Sequence, residues 1–300
     1  MMSVQNLREQ IKELLLQKYG VAGHANSQME ALKFYITDRP GESLRAALYE
    51  PSFCVILQGA KAVGFGKNMY GYDENTYLLA STYMPLNVRV TKASKDEPYV
   101  SLALKFSLDE IYEVLKNIEI QKQNLQKSEK GVFFGELSDE LLEPILRLVW
   151  LNDKPKSNID YIAGLIKKEI LFALANDKKS GYFLNKFAMQ GSASNKISRA
   201  IIKIKDNFNE KINIKDLARA CDMSESSLYQ NFKTITSLSP IAFQKKIRLE
   251  EAKNLLSNTD LPVAQAAFEV GYESASQFSR EYSRMFGVAP KVHSAMLKAN

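Results

Sequence analysis

The spacing of apolar residues divides the first part of the chain into stretches of different period. Near the start, four apolar residues recur at the 3.6-residue period of an amphipathic helix: Leu7, Ile11, Leu14 and Leu15. Residues 49–106 instead contain short β-branched and aromatic runs that glycines and prolines interrupt, which is typical of a meander or barrel of strands. After residue 108 the helical period returns and predicts helices near residues 109–127, 138–151 and 157–175.

The last of these helices carries a broad apolar stripe. Its members are Ile159, Ile162, Ala163, Ile166, Ile170, Leu171 and Leu174. A stripe of this width can pack on the β-rich region or form the seam of a dimer, and the sequence leaves both interpretations open. Residues 176–196 mix Gly, Ser, Lys and Asn, a composition that predicts a hinge.

The last hundred residues contain an internal repeat. Leu228, Phe232 and Pro240 recur 50 positions later as Phe278, Tyr282 and Pro290, and Ala218 recurs 49 positions later as Ala267. Each copy has a short helix with a small residue, a short turn, and a second helix opened by serine, which is the pattern of a helix-turn-helix. We therefore predict two such units, at about 214–235 and 263–286, joined by a helix over 241–256.

The second helix of each unit has an apolar and a polar face. At 100° per residue, Leu228 and Phe232 point inward in the first unit, and Phe278 and Tyr282 do so in the second. The opposite faces carry the candidate DNA-binding residues: Ser226, Ser227, Tyr229, Gln230 and Lys233, then Ser276, Gln277, Arg280 and Arg284. Arg suits guanine or phosphate, Gln suits adenine, and Ser lets a helix approach base edges closely. A single such residue is typical of any solvated helix face. Two helices with the same polar pattern at corresponding positions of a repeat instead favour contact with DNA bases.

Composition and charge agree with that partner. With 300 residues, 45% of them hydrophobic and 25% charged, two globular domains are the natural expectation. The net charge of +6 is concentrated in residues 192–300, which hold 16 Lys and Arg against 11 Asp and Glu, whereas residues 1–191 hold 24 against 23. A basic surplus in one domain is what phosphate binding requires.

The scarcity of histidine and cysteine limits the chemistry. The chain contains only His24, His293, Cys54 and Cys221. This count excludes a disulfide framework and a Cys-built zinc site, and it argues against His-dependent nucleophilic catalysis. We therefore expect no enzymatic activity, no cofactor and no metal. Since no run of eighteen apolar residues and no secretory signal occurs, we expect a cytoplasmic protein with no membrane contact.

Two sets of segments resemble a known family. "LARACDMSESSLYQNFKTITSLSPIAFQKKIRLEEAKNLL" and "GYESASQFSREYSRMFG" resemble the DNA-binding domain of AraC/XylS-family transcriptional regulators over residues 197–293. "YEPSFCVILQGAKAV" and "KDEPYVSLALKFSLDEIYEVL" resemble the cupin-like sensing domain of one AraC subgroup. The resemblance implies recognition helices over 225–235 and 275–286 in successive major grooves of promoter or operator DNA, about 34 Å apart. It also implies a small-molecule effector and a homodimer, with RNA polymerase as a candidate further partner.

The expected architecture is an α+β fold in two domains. An N-terminal, cupin-like β-barrel with flanking helices occupies residues 1–180, where it would sense the effector and dimerise. A linker follows over residues 181–195. An all-α DNA-binding domain with the two helix-turn-helix units occupies residues 196–300.

Five residues are candidates for contact with the effector: Cys54, Lys61, Tyr70, Tyr72 and Tyr83. Cys54 suits a reactive thiol but lies in "FCVIL", which is also typical of a core strand. Lys61 suits an anionic ligand or a solvated turn, and the tyrosines suit a pocket lining or a half-buried sheet. Two other functions compete with an effector-controlled regulator. A cupin-type enzyme tethered to DNA would need metal-binding histidines, and a DNA-binding protein without an effector would show little sequence preference.

Overall fold

The N-terminal part of the protein is built on antiparallel strands. The computed structural model describes residues 3–21, 23–118 and 130–298. The strands in these residues are β1 Gly23–Asn26, β2 Leu32–Thr37, β3 Arg45–Tyr49, β4 Ser52–Gln58, β5 Ala60–Phe65, β6 Asn68–Asp73, β7 Thr76–Ala80, β8 Met84–Lys92, β9 Tyr99–Lys105 and β10 Val132–Glu136.

These strands form two sheets. The larger has the order β1-β2-β9-β4-β7-β10 and the smaller has the order β3-β8-β5-β6. Every pairing is antiparallel, which fits the many short turns that separate the strands. The β-rich N-terminal domain that the sequence predicted is therefore confirmed. A closed, cupin-like barrel stays a prediction.

Strand β4 shows how the sheets pack. Phe53 and Val55 on one face join a core with Leu7 and Ile11 of the first helix, whereas Ile56 on the other face joins a core with residues of the smaller sheet. Because both faces are covered, β4 is an almost continuous apolar run instead of an alternating one. The layers are thus the smaller sheet, the larger sheet and a set of helices.

The helices fall into two groups. Those that accompany the sheets are α1 Val4–Tyr19, α2 Leu108–Leu115, α3 Asp139–Leu151, α4 Lys156–Asn176 and α5 Lys178–Ala188. Those of the C-terminal part are α6 Ala193–Asp206, α7 Ile214–Ala220, α8 Glu225–Thr236, α9 Pro240–Asn258, α10 Val263–Glu269, α11 Ala275–Phe286 and α12 Pro290–Lys298. None of the helices in the described residues is long and apolar enough to cross a membrane.

Most of the predicted helices of the N-terminal part are confirmed. Helix α1 buries Leu7, Ile11 and Leu15, as the apolar spacing indicated. Helices α3 and α4 match the predictions for 138–151 and 157–175 within one residue. The predicted helix near 109–127 is shorter in the structure: α2 ends at Leu115, and residues 119–127 of that prediction lie outside the described residues.

The predicted linker over residues 181–195 is mostly helical in the structure. Helix α5 covers its first part, and Phe183, Leu184 and Phe187 are fully buried there. The ring of Phe183 stacks at 5.5 Å on Phe133 of β10. These residues follow helical spacing, and the Asp177 side chain caps the helix by accepting from the amides of Lys179 and Ser180. The polar composition of the segment concealed this apolar face, and the division into domains stays a prediction.

The C-terminal part repeats one arrangement twice. Helices α7, α8 and α9 correspond to α10, α11 and α12, and Pro240 and Pro290 each begin the third helix. In both turns an amide bonds back to the matching alanine: Met223 to Ala218 O and Tyr272 to Ala267 O, each at 3.0 Å. Both alanines are buried, which lets the two helices cross closely. The helix-turn-helix repeat predicted from the sequence is therefore confirmed.

The apolar stripe on α4 is used inside the molecule. Ile159, Ile166, Ile170, Leu171 and Leu174 are buried. Ile162 of the predicted stripe is instead exposed, together with three apolar side chains outside the stripe: Tyr161, Leu165 and Phe172. Packing inside the fold therefore accounts for most of the stripe, and the exposed set is a second face.

Candidate nucleic-acid interface and effector site

Helix α8 presents the first predicted recognition face. Ser224 caps its N-terminus by accepting from the Ser227 amide at 3.2 Å. Leu228, Phe232 and Ile235 are fully buried on the inner side. On the outer side, the predicted residues Ser226, Tyr229, Gln230 and Lys233 are exposed and Ser227 is half-buried. The structure thus brings all five to one surface.

Helix α11 presents the second face in the same way. Ser274 caps the helix by accepting from the Gln277 amide at 3.3 Å, and Gly287 ends it in a left-handed conformation. Phe278 and Tyr282 are fully buried. All four predicted residues, Ser276, Gln277, Arg280 and Arg284, are exposed.

One predicted residue of α11 has an intramolecular partner. The Gln277 side-chain amide donates to Glu281 Oε1 at 3.1 Å, and Lys245 and Tyr272 also donate to the Glu281 carboxylate, at 2.8 and 2.9 Å. Partial burial opposes ionisation of Glu281, but these hydrogen bonds outweigh it and lower its pKa. The carboxylate therefore orients Gln277 on the exposed face.

The predicted effector residues cluster between the two sheets, with one exception. Cys54 and Tyr72 are buried in the core between the sheets, and Tyr70 packs against its edge. Lys61 Nζ donates to the hydroxyl of Tyr49 at 2.7 Å, and Tyr72 lies beside Tyr49. Burial raises the pKa of the Cys54 thiol, so the structure favours a core cysteine over a reactive one.

Tyr83 lies elsewhere. It lies in the connection between β7 and β8. Side chains alternate between the two faces only within a strand, so this alternation directs Tyr72 between the sheets but does not apply to Tyr83. Its ring instead lies 5.2 Å from Lys205 Nζ of α6. The structure therefore does not bring Tyr83 together with the other four candidates.

The N-terminal part contacts the end of the first recognition helix. The Gly131 amide, just before β10, donates to the Ile235 carbonyl of α8 at 3.0 Å. The β5–β6 turn also meets this helix, since a Cβ placed on Gly66 would lie 3.3 Å from Cβ of Ser237. One apolar core runs across the boundary and includes Ile201 of α6 and Phe232 of α8. The N-terminal part is thus joined to α8 by main-chain and apolar contacts.

Comparison with known proteins decides the family. A family model described as "AraC-type transcriptional regulator N-terminus" matches residues 28–181, more than half of the chain. A second, described as "Helix-turn-helix domain", matches residues 217–295. The chain belongs to the AraC family. It is thus a DNA-binding transcriptional regulator with an N-terminal ligand-binding domain.

Relatives agree with this assignment, and a solved structure shares the fold. The AraC-family chain is 26% identical over 205 residues to the raffinose operon transcriptional regulatory protein RafR of Pediococcus pentosaceus, covering 67% of this chain and 70% of that protein. It is 31% identical over 102 residues to the HTH-type transcriptional regulator MtrA of Neisseria gonorrhoeae, or 34% of each chain. Its fold is similar to that of unsaturated fatty acid bound ToxT from Vibrio cholerae, with a TM-score of 0.61 and 13% identity over 92% of this chain and 99% of that one.

A crevice in this AraC-family chain also separates the sheets from the connecting helix. It is lined by Ala46, Ala47, Leu48, Pro85, Leu86, Lys246, Glu250 and Met285. Glu250 Oε2 binds Lys253 at 2.6 Å, but Glu250 Oε1 is buried and makes no hydrogen bond within the described residues. Burial raises the pKa of the Glu250 carboxyl. One of the two carboxylate oxygens of Glu250 in this crevice therefore lacks a hydrogen-bond partner within the described residues.

Sequence reasoning missed several residues of the effector region. Tyr49 and Tyr99 lie between the sheets of this AraC-family domain, and burial raises the pKa of Tyr99 to about 12. Lys105 forms an ion pair with Glu50, and Lys33 lies 4.0 Å from the same carboxylate. The alternation of β3 could have indicated Tyr49. The lysine pair could not have been found, because it depends on the non-local pairing of β2 with β9.

Proposed function

We propose that this AraC-family regulator reads two neighbouring DNA segments with the exposed faces of α8 and α11. The observation that carries the proposal is the repetition of one capped helix, buried on one side and polar on the other, at equivalent places in two units. The residues proposed to contact DNA are those predicted from the sequence, with Arg280 and Arg284 as the strongest candidates for base or phosphate recognition. In this proposal residues 196–300 form the DNA-binding domain, and residues 1–180 form the sensing domain.

Selection from a random duplex pool tests the DNA proposal. Sequencing of retained fragments should give a motif of two segments separated by about 10 base pairs, one duplex turn. Retention without enrichment of any motif would contradict sequence-specific reading. Activation of a promoter would further require contact with RNA polymerase. We also place the protein in the cytoplasm, because its proposed DNA target lies there.

We further propose that the effector is an amphiphilic carboxylate bound between the sheets. The side chains packed there are mostly apolar, and the Lys61 ammonium supplies a cation beside Tyr49 and Tyr72. Burial lowers the pKa of His24, and the nearby ammonium groups of Lys61 and Lys33, which lower it further, would also attract an anionic ligand. The similarity to ToxT structures with an unsaturated fatty acid and with (E)-4-(8-methylnaphthalen-1-yl)but-3-enoic acid supports the same ligand class.

Oleate and oleyl alcohol make a matched pair of probes for this site. Titration calorimetry should show oleate binding, with Lys61→Met weakening it about tenfold or more, because a methionine keeps the side-chain length and removes the charge. Lys67→Met, in the exposed β5–β6 turn, should bind as the wild type does. Equal binding of the alcohol, or no effect of Lys61→Met, would contradict the carboxylate site.

We also propose a homodimer through the exposed face of α4. Tyr161, Leu165, Lys168 and Phe172 follow a spacing of four, three and four residues, which is the seam of a helix pair. In an antiparallel pair about a two-fold axis, Tyr161 would face Phe172 of the second copy and Leu165 would face Lys168. The apolar side chains of the two copies would therefore cover each other along the seam.

Light scattering after size exclusion tests the dimer. Leu165 is 55% exposed, so Leu165→Glu should leave the fold intact and shift the protein to the monomer. Ile202→Glu, which changes an exposed apolar residue of α6, is the control and should not change the mass. A monomeric wild type, or a dimeric Leu165→Glu protein, would contradict this interface.

A further inference from the structure

The two helix-turn-helix units have separate apolar cores. Phe243 and Ile247 of α9 belong to a core with the first unit, whereas Leu249, Ala252 and Leu256 of the same helix belong to a core with the second. The boundary between the two cores therefore falls at residue 248. Two units that share one helix but not one core can change their relative angle by bending that helix, unless other bonds hold them.

Arg248 lies at this boundary and bonds to both units. Its Nε donates to the Phe208 carbonyl at 2.6 Å and its Nη2 to the Glu210 carbonyl at 2.8 Å, both in the loop between α6 and α7 of the first unit. Its Nη1 donates to the Gly271 carbonyl at 2.7 Å, in the turn of the second unit. The planar guanidinium thus uses three donors in fixed directions to hold two separate backbone segments.

The two segments also touch each other directly. Gly271 has a φ of +86°, and a Cβ at this position would overlap the carbonyl of Asn209. The ring of Phe208 packs against both cores. Gln244, one turn before Arg248, donates to the Phe208 and Glu210 carbonyls at 2.9 and 2.6 Å, and within the described residues it makes no hydrogen bond to the second unit. Arg248 therefore ties the turn of the second unit directly to the loop of the first, and the ion pair of Lys245 with Glu281 is a separate link from α9 to α11.

We propose that Arg248 is a positioning residue that fixes the angle and distance between α8 and α11, and thereby the spacing between the two DNA segments that the protein accepts. The inference rests on the proposed reading of DNA by both helices. A lysine at this position keeps the charge but offers one donor nitrogen in place of the fork. Its single nitrogen cannot reproduce the separated donor positions of the guanidinium fork, so the two units would gain freedom to adjust to other spacings.

Binding of the full-length protein to spaced duplexes tests the proposal. The duplexes carry the selected motif with zero, one or two base pairs inserted between its segments, and each insertion shifts one segment by about 3.4 Å and turns it by about 34°. Fluorescence anisotropy should show the wild type losing about tenfold or more in affinity for one inserted pair. Arg248→Lys should bind the original duplex less tightly and lose at most about threefold on insertion.

Two further variants separate positioning from a general loss of stability. Gln244→Leu removes bonds to the first unit alone, and Asn254→Ala changes an exposed residue on the same helix. Both should keep the spacing preference of the wild type, even if Gln244→Leu lowers the thermal midpoint. A spacing preference in Arg248→Lys equal to that of the wild type, or an equal relaxation in Gln244→Leu, would overturn the role of Arg248. A wild type that is indifferent to spacing would instead contradict DNA reading by two helices.

Discussion

Arg280 and Lys233 are exposed on α11 and α8, and we expect different consequences from losing each of them. Arg280 lies mid-helix, where a guanidinium fork suits a guanine edge, so Arg280→Ala should cost about 1–3 kcal/mol on the preferred sequence and relax base preference at one position. Lys233 lies in the last turn of α8 and suits a phosphate, so Lys233→Ala should weaken binding evenly across sequences and reduce the salt dependence.

Parallel selections with the two variants measure this difference. Lys178→Ala on α5, an exposed lysine far along the chain from both helices, is the control for charge and should bind as the wild type does. Motifs of equal information content from Arg280→Ala and wild type would show that Arg280 does not read a base.

Glu250 should make the stability of the fold depend on pH. Its pKa in the folded protein is raised by burial above the 4.5 of an ordinary glutamate, so the folded state holds this proton more tightly than the unfolded state does. The ionised form therefore destabilises the fold at neutral pH, and this penalty disappears as the pH falls through the raised pKa. Glu250→Gln should raise the thermal midpoint at pH 7, and its advantage should shrink toward pH 4.5.

Thermal unfolding between pH 4.5 and pH 8 checks this sign. Glu269→Gln on α10 removes an exposed carboxylate and should change neither the midpoint at pH 7 nor its trend. An advantage of Glu250→Gln that grows as the pH falls would mean that the ion pair with Lys253 stabilises the ionised form more than burial destabilises it.

Individual site residues were predictable from the sequence to different degrees. The recognition faces follow from helical geometry and from the repeat, both of which are local, and eight of the nine predicted residues are exposed, whereas Ser227 is half-buried. The effector candidates depend on which strands face each other. Tyr72 shares the inner face of its strand with partners on β5, whereas Tyr83 lies in a connection where alternation predicts nothing.

At the scale of elements, the turn of the second unit depends on one glycine. Gly271→Ala would place a Cβ against the Asn209 carbonyl and would also strain the left-handed backbone, so it should destabilise the C-terminal part by about 2 kcal/mol or more. Gly164→Ala in α4 is the opposite case, because open space surrounds that position. It should stabilise the protein by about 0.5–1 kcal/mol.

Chemical denaturation followed by far-ultraviolet circular dichroism compares the two alanine variants. Their contrast separates a position where glycine is required from one where it is only tolerated. A Gly271→Ala protein as stable as the wild type would mean that the turn and the Asn209 loop can move apart without cost.

The order of the strands was beyond what the sequence could predict. The runs between residues 49 and 106 indicated strands, but β9 pairs with both β2 and β4, which are far from it in the chain. Such pairing is chosen by the burial of whole faces and not by local propensity. The sequence did not predict helix α5 for a related reason. Phe183 packs against Phe133 of a distant strand and against Phe187, so the apolar face of the helix depends on non-local contacts.

At the scale of the whole molecule, the contact between Gly66 and Ser237 offers a way to lock the two parts together. Cβ atoms at these positions would lie 3.3 Å apart, close to the roughly 3.5–4.5 Å of a disulfide, and the bridge must also overcome the strain of a side chain at Gly66, whose φ is +61°. The natural cysteines, Cys54 and Cys221, are buried and should not compete. A protein with Gly66→Cys and Ser237→Cys should therefore form this bridge on oxidation, and its DNA affinity should no longer respond to oleate.

Reduction of the bridge provides the internal control. Addition of dithiothreitol should restore the response to oleate in the double variant and should leave the wild type unchanged. Failure of the cysteines to pair would show that the turn and the helix do not meet in solution. A bridged protein that still responds to oleate as the reduced protein does would show that the signal takes another route.

The hydrogen bond from the Gly131 amide to the Ile235 carbonyl joins two main-chain atoms. Sequence variation during evolution therefore affects it differently at the two positions. Replacement of the side chain at position 235 by another apolar group leaves the acceptor oxygen in place, so neutral drift in the sequence does not erode the connection. Proline at position 131 would abolish the donor in a single step. Lineages that have uncoupled sensing from DNA binding are therefore expected to carry a change at the glycine, whereas the residue at the helix end is free to diverge.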